Sequence, residues 1–106
     1  GSHMSYADSS RNAVLTNGGR TLRAECRNAD GNWVTSELDL DTCIGNPNGF
    51  LGWGMQNFSH SSEDIKLEEG GRKLTCRPKT VDGGFRERQG IDLNRIQNVN
   101  GRLVFQ

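Results

Sequence analysis

A ten-residue motif that occurs twice constrains the fold of this 106-residue chain more than any other feature. It reads Ile-x-Asn-x-Asn-Gly-x-Leu-x-aromatic and covers residues 44–53 and again residues 96–105. The Asn-Gly pair tolerates positive φ at two consecutive positions, so it predicts a tight turn. The Leu-x-aromatic alternation that follows predicts a strand with one buried face. A signal that recurs at one spacing indicates that the chain is a duplicated unit.

The duplication extends along the chain at a nearly constant offset of 52 residues, which is the difference between Tyr6 and Phe58. The same offset superimposes the Gly-Gly pair at residues 18–19 on the pair at residues 70–71. We therefore expect a single domain of two repeats, residues 5–56 and 57–106. Each repeat holds too few large apolar residues to fold alone, so the two must bury their apolar faces together. They can do so side by side or by exchanging terminal hairpins.

Short strands and turns follow one another in each repeat, which predicts an all-β fold. Leu22-x-Ala24-x-Cys26 alternates as a strand does, and Asp-Gly pairs predict the hairpins that follow. The serine-rich stretches at residues 9–12 and 61–64 are expected to form short helical turns. In Leu38-Asp39-Leu40 the carboxylate is expected to cap another turn. Pro78 is expected at a sheet edge or a strand end.

Composition removes several function classes. Thirteen basic and thirteen acidic residues balance, so electrostatic binding of nucleic acid has no support. No apolar run reaches transmembrane length, so no membrane insertion is expected.

Residues 1–4 read as the remnant of a purification tag. No signal peptide follows them, so we expect a cytoplasmic protein, with secretion left open because a signal could have been trimmed. We expect a monomer, and the small core also permits a domain-swapped dimer.

The three cysteines, Cys26, Cys43 and Cys76, are interpreted as buried or half-buried thiols in a reduced compartment. None stands in a Cys-x-x-Cys pair, and His60 is the single histidine outside the tag remnant. No metal site and no cofactor are therefore expected. One imidazole with adjacent serines does not make a catalytic triad, which needs groups that converge from separate segments. We predict no catalytic residues and no enzyme activity.

Six of the seven aromatic residues form repeat pairs, namely Tyr6 with Phe58, Trp33 with Phe85, and Trp53 with Phe105. An aromatic residue at the same position of both repeats is interpreted as core rather than as a ligand platform. Phe50 has no aromatic mate, and it is either a hairpin cover or an exposed contact residue.

Small polar residues cluster at the predicted turns. Asn, Ser, Thr, Gln and Asp side chains can hydrogen-bond a hydroxyl-rich ligand. The same residues can also serve backbone geometry alone. Composition leaves both interpretations open.

On the paired motifs, together with Ser-Glu-Leu-Asp-Leu and Gln-Asn-Phe between them, the sequence resembles the cyanovirin-N homolog family over residues 5–106, and within it the fungal, truffle-like members. The resemblance implies an all-β pair of pseudo-symmetric, intertwined lobes, each a three-stranded sheet plus a β-hairpin with short 3-10 turns. The lobes would consist of residues 5–43 with 96–106 and of residues 44–95. It also implies a lectin that binds mannose-containing oligosaccharides with α1-2 linkages, as in high-mannose glycans, by hydrogen bonds and without metal.

Carried over by position, the family's binding residues fall into two sites. The first site would use Ser5, Asp8, Ser9, Arg27, Ala29, Asn98, Val99 and Asn100. The second would use Asn46, Pro47, Asn48, Gln56, Asn57, His60, Ser61, Lys79 and Thr80.

Departures from the family pattern bear on both stability and binding. Ser10, Ser62 and Pro78 stand where the family has disulfide cysteines, so no intramolecular disulfide is expected at those positions. Arg27 and His60 stand where the family has glutamates, so both sites are altered. A protein-interaction or structural module that has lost sugar binding at one or both sites is the alternative hypothesis.

Overall fold

A computed structural model of the chain describes residues 5–106, and the expected tag remnant at residues 1–4 lies outside this range. The described residues form strands and 3-10 turns and no α-helix, which confirms the all-β prediction. The strands are β1 (Ser10–Thr16), β2 (Thr21–Arg27), β3 (Trp33–Asp39), β4 (Ile44–Gly45), β5 (Gly52–Trp53), β6 (Ser62–Glu68), β7 (Lys73–Pro78), β8 (Gln89–Asp92), β9 (Ile96–Val99) and β10 (Arg102–Phe105). The 3-10 turns are Tyr6–Ser9, Asn17–Gly19, Leu40–Thr42, Phe58–Ser61 and Glu69–Gly71. Within this range no helix is long and apolar enough to span a membrane.

Two three-stranded antiparallel sheets, β1-β2-β3 and β6-β7-β8, are accompanied by two hairpins, β4-β5 and β9-β10. Both sheets slip register at the same place in their first strand, after Arg11 and after Glu63. Asn12 and Asp64 follow directly and adopt positive φ values of 57° and 55°. Such a bulge bends and twists a strand locally. The two repeats therefore share even the irregular parts of their backbone.

Each hairpin contacts the other repeat. The Leu103 amide of β10 donates to the Ser36 hydroxyl of β3 at 3.0 Å. The Val81 amide, which lies beyond β7, donates to the Asn48 side chain of the β4-β5 hairpin at 3.0 Å. The repeats thus exchange their hairpins rather than packing as two separate units, as the intertwined fold requires.

The core crosses the repeat boundary at the Gly-Gly turns. The Tyr6 hydroxyl donates to the Gly71 carbonyl, and an ideal Cβ on Gly71 would lie 2.7 Å from that hydroxyl and 3.2 Å from the Ala13 Cβ. Gly71 also has a φ of 91°, so a side chain is excluded on two grounds. At the equivalent Gly19 the neighbour is Ile65, 2.8 Å from an ideal Cβ. Each turn is therefore fitted against a strand of the other repeat.

The predicted helical turns at residues 9–12 and 61–64 are wrong in position. Ser10 and Ser62 already begin strands, and the 3-10 turns precede them. The first turn begins early because Ser5 caps it: the Ser5 hydroxyl accepts from the Ala7 amide at 3.3 Å, and the Ser5 amide donates to the Asp8 carboxylate at 2.9 Å. This is the reciprocal arrangement of a capping box.

The prediction that all three aromatic pairs are core is right for Tyr6 and Phe58, which are fully buried. It is wrong for Trp33 and Phe85, which are 40% and 42% exposed. The physical reason is that Trp33 alternates in β3 with Thr35 and Glu37, so it shares the outward face of the sheet. The rings of Trp53 and Phe105 stack on each other at a centroid distance of 5.4 Å and are partly buried against the core.

The structure also bears on three predictions about single residues: the cap at Asp39, the position of Pro78 and the state of the cysteines. Asp39 caps the turn Leu40–Thr42, because its carboxylate accepts from the Asp41 amide at 3.0 Å. Pro78 ends strand β7, as predicted. The three cysteines are free and buried. Burial raises the pKa of the Cys43 thiol to about 11 and also raises that of Cys76, so both thiols are poor nucleophiles at neutral pH.

Candidate functional site

The turn of the β9-β10 hairpin is held by Asn98. Its side-chain amide donates to the Ser9 carbonyl at 3.2 Å, to the Ser9 hydroxyl at 2.9 Å and to the Arg27 carbonyl at 2.8 Å. Its side-chain oxygen accepts from the Gly101 amide at 2.8 Å. One asparagine therefore fixes the hairpin turn, the first 3-10 turn and the end of β2 relative to one another.

Asn46 repeats this arrangement in the β4-β5 hairpin. It donates to the Ser61 carbonyl at 3.2 Å, to the Ser61 hydroxyl at 2.9 Å and to the Lys79 carbonyl at 3.0 Å. It accepts from the Gly49 amide at 2.6 Å. We call each set an asparagine clamp: Asn98 with Ser9 and Arg27, and Asn46 with Ser61 and Lys79.

The second asparagine of each motif extends the clamp. The Asn100 side chain accepts from the Ala29 amide at 2.9 Å, and the Asn48 side chain accepts from the Val81 amide at 3.0 Å. The sequence analysis predicts these asparagines as ligand contacts, and the side-chain oxygen of each accepts a hydrogen bond within the chain. Their role in the structure is to fix the loops on which other exposed groups sit.

An exposed cation and an exposed ring accompany each clamp. Arg27, whose carbonyl Asn98 binds, pairs across β2 and β3 with Trp33, and its guanidinium lies 6.0 Å from the ring centroid. Lys79, whose carbonyl Asn46 binds, bridges to Phe85, and its ammonium lies 5.8 Å from that ring. The unit of clamp, cation and ring is therefore duplicated.

The remaining predicted residues of the first site do not all face this unit. Val99 is exposed in the hairpin turn, whereas Ser5 is buried and caps the 3-10 turn. The Asp8 carboxylate pairs with the Arg72 guanidinium at 2.8 Å. The Ser5 amide and Arg72 hold the pKa of Asp8 below its ordinary value. A separate cleft of about 200 Å³ opens here, and it is lined by Ser5, Glu69, Arg72, Asp92 and Asn94.

The remaining predicted residues of the second site lie around the start of the second repeat. Gln56 and Asn57 are exposed, and the Asn57 amide donates to the Asp41 carbonyl at 2.9 Å. His60 is exposed, with Nε2 3.7 Å from the buried Asp41 carboxylate. Pro47 is exposed on the loop of the β4-β5 hairpin. Thr80 lies after β7, and its hydroxyl donates to the Gly84 carbonyl at 3.2 Å.

Between residues 5 and 106, no group of three or more His, Cys, Asp or Glu side chains could hold a metal ion.

Sequence reasoning missed the exposed rings. The sequence analysis predicts Trp33 and Phe85 in the core and Phe50 as either a hairpin cover or an exposed contact residue. Phe50 is 56% exposed, with the Arg86 guanidinium 4.3 Å from its ring centroid. For Trp33 the signal was present in the sequence, since the residues that alternate with it are polar.

Comparison with known proteins decides the family. A family model described as the CVNH domain matches residues 6–104. This chain belongs to the cyanovirin-N homolog family. A cyanovirin-N homolog from Neurospora crassa is 36% identical over 87 residues, which are 77% of this chain and 78% of that protein. The structure of a designed cyanovirin-N homolog lectin is 65% identical and covers 97% of this chain and 100% of its own, with a TM-score of 0.88.

Two further relatives were solved in complex with sugars. A variant of the cyanovirin-N homolog MoCVNH3, in complex with (N-GlcNAc)4, has a TM-score of 0.90 at 26% identity and covers 100% of both chains. A microvirin:mannobiose complex has a TM-score of 0.82 at 31% identity and covers 96% of this chain and 98% of its own. The fold of this chain is therefore one on which relatives bind oligosaccharides.

Proposed function

We propose that this chain is a lectin that binds α1-2-linked mannose, as found at the ends of high-mannose glycans, through hydrogen bonds and without a metal ion. The observation that carries the proposal is the duplicated unit of asparagine clamp, cation and exposed ring. The microvirin relative that was solved with mannobiose supports the choice of sugar.

The clamped loops suit a small neutral ligand. Because the Asn46 and Asn98 side chains already hold the backbone, little loop ordering opposes binding. Arg27 and Lys79 are exposed and offer charged donors to hydroxyl oxygens. The Arg11 guanidinium lies 4.1 Å from the Trp33 ring centroid, and the surface of Trp33 that remains exposed, like that of Phe85, can contact the apolar C–H face of a pyranose. Each site would bury little area, so affinity for one disaccharide should be weak and two sites would act together on a branched glycan.

A residue-resolved titration tests this function. Man-α1-2-Man added to the ¹⁵N-labelled chain should shift the amides of Gly101 and Gly49, which the two clamps hold. Man-α1-6-Man serves as the matched linkage control, and a chelator in the buffer should leave the shifts unchanged. If neither glycine amide nor its neighbours respond at millimolar disaccharide, the proposal fails for both sites.

Two single variants separate the sites. Arg27→Ala should weaken binding at the first site about three- to tenfold, and Lys79→Ala should do the same at the second, because each removes one charge-assisted hydrogen bond. Each variant should leave the shifts at the other site intact. Lys66→Ala, which removes an exposed lysine on β6, is the control and should change neither affinity. Equal binding by Arg27→Ala, Lys79→Ala and the unmodified chain would contradict the assignment.

The GlcNAc complex of the MoCVNH3 variant favours a second candidate, a lectin for N-acetylglucosamine oligomers. The same titration with the GlcNAc tetramer distinguishes the two candidates. If the amides shift with the tetramer and not with the mannose disaccharide, the ligand is the GlcNAc oligomer. A chain that responds to neither sugar would instead fit a protein-interaction module.

A further inference from the structure

Phe50 is an exposed aromatic residue with a fixed orientation. The Arg86 guanidinium lies 4.3 Å from the ring centroid and thus covers one face of the ring. Arg86 is itself held, because it donates to the Gly49 carbonyl at 3.4 Å and to the Glu87 carboxylate at 2.8 Å. With one face of the ring next to this guanidinium, 56% of Phe50 remains exposed. The second hairpin therefore presents a preorganised aromatic surface.

This surface adjoins the second candidate site. Asn46 binds the amide of Gly49 at 2.6 Å while Arg86 binds its carbonyl, so Phe50 follows a residue that is held on both sides. An ideal Cβ on Gly49 would lie 2.5 Å from the Arg86 side chain and 3.1 Å from that of Thr80. The clamp, Thr80 and the support of the ring thus converge at one glycine. Phe50 is two residues from Asn48, which limits the separation of their Cα atoms to about 7 Å.

The first hairpin has no ring at the equivalent position, although Trp33 on the adjoining sheet carries the Arg11 guanidinium 4.1 Å from its ring centroid. At the offset of 52 residues, Arg102 stands in place of Phe50 and Val34 in place of Arg86. Val34 approaches Gly101 as Arg86 approaches Gly49, with its Cβ 3.3 Å from an ideal Cβ on that glycine. In both hairpins an asparagine side chain accepts from the glycine amide, but the valine side chain offers no donor to the Gly101 carbonyl, and the two hairpins expose different side chains.

We propose that Phe50 forms a stacking subsite for one further pyranose of a linear mannose oligosaccharide, beyond the disaccharide held at the second site. The inference rests on the proposed function. The C–H face of a pyranose is apolar and complements the negative face of an aromatic ring. Because Arg86 already orients Phe50, stacking requires little loss of side-chain freedom. The subsite makes the second site prefer longer chains, and the first site lacks this preference.

The test compares α1-2-linked mannobiose and mannotriose, with the amides of each site followed separately. The triose presents the disaccharide unit in two registers, which alone gives about a twofold gain, so the informative quantity is the difference between variants. Phe50→Ala should weaken triose binding at the second site about three- to tenfold and leave biose binding there unchanged. Phe50→Trp should retain the triose preference. Arg102→Ala, at the equivalent position of the first hairpin, should leave the affinity for both mannobiose and mannotriose unchanged.

Failure of this inference can be told from failure of the proposed function. If no amide responds to either sugar, both are overturned. If biose binds and Phe50→Ala leaves triose affinity unchanged, the subsite alone is overturned. Equal losses for biose and triose would place Phe50 in the disaccharide site and also overturn the subsite. Unchanged amide spectra away from residue 50 check that the variant is folded. As a gain-of-function test, the double substitution Val34→Arg with Arg102→Phe should give the first site a triose preference.

Discussion

The two repeats share their asparagine clamps but differ in the side chains around them. Both clamps use an asparagine to join a serine and the carbonyl of a cationic residue, with the same pattern of hydrogen bonds. Beside them, the second hairpin places Phe50 against Arg86, whereas the first has Arg102 and Val34. The polar framework is thus held in common while the exposed surface is free to differ. Two sites of one backbone geometry need not bind the same ligand equally.

A second difference concerns the outer faces of the sheets. In the second repeat Arg88 crosses the bulge and donates to the Asp64 carbonyl and the Thr75 hydroxyl, each at 2.9 Å. In the first repeat Thr35 occupies the matching place in register, one residue before the partner of Ala24. A groove of about 210 Å³ remains there, lined by Asn12, Val14, Arg23, Ala24, Glu25 and Thr35. The two faces thus differ in that a long, hydrogen-bonded arginine of the second repeat is replaced by a threonine in the first.

The largest expected effect comes from removing a clamp. Asn98→Ala or Asn46→Ala should each lower the free energy of unfolding by about 1.5–3 kcal/mol, because carbonyl and amide groups of three segments lose their partner. Urea denaturation of both variants measures the comparison directly. Val99→Ala, an exposed change in the same turn, is the control and should cost about 0.5 kcal/mol or less. A large loss for one clamp and none for the other would show that the repeats are not equivalent in stability.

The next effect concerns the one hydroxyl that distinguishes the buried rings. Tyr6→Phe should cost about 1–2 kcal/mol, because the Gly71 carbonyl loses its donor. The substitution makes the first repeat resemble the second, which has Phe58 at this position. The reciprocal Phe58→Tyr should also destabilise, since it buries a hydroxyl in a fully buried site shaped for a plain ring. Urea denaturation checks both, and a neutral Tyr6→Phe would mean that the hydroxyl is dispensable.

The smallest effect is electrostatic and appears only in acid. The pKa of Asp8 is lowered by the Ser5 amide and Arg72, so its contribution is present above its ordinary pKa of 3.8 and is lost as the pH falls through the lowered value. Asp8→Asn should therefore reduce the dependence of stability on pH below about pH 4, and salt should shrink the difference because the pair is exposed. Asp30→Asn is the control, since Asp30 forms no ion pair within residues 5–106. The measurement is urea denaturation at a series of pH values. If the free energy of unfolding falls equally below pH 4 for Asp8→Asn and for the unmodified chain, the prediction is wrong.

Much of the fold could be predicted because its signals are local. The turns are marked by residues that accept positive φ, such as Gly18 at 73° and Gly101 at 91°. The strand Leu22-x-Ala24-x-Cys26 was predicted from alternation, and all three side chains are buried. Periodicity states which face of a strand is buried but not what covers it. The exchange of hairpins was therefore one of two arrangements open to sequence reasoning from the residues alone.

The candidate site was harder to predict for the same reason. Asn98 finds its partner Ser9 at a separation of 89 residues, so the sequence could not show that its amide is used within the chain. The sequence pattern of an asparagine in a turn is the same whether its side chain binds a ligand or holds a loop. For Trp33, the aromatic pairing between repeats indicates a core position, whereas the polar residues that alternate with it in β3 indicate the surface. Similarity between repeats reports a shared position, and that position can be on the surface.

The exchange of hairpins has a thermodynamic consequence. Each clamp joins segments from both repeats, so neither site can open fully while the rest of the chain stays intact. A saccharide at either site should then raise the melting temperature of the whole molecule, by linkage equivalent to about 2.7 kcal/mol at one hundred times its dissociation constant. In calorimetry, a saccharide bound at either site would raise the temperature of the same single cooperative transition, so the melting curve would not show which site is occupied.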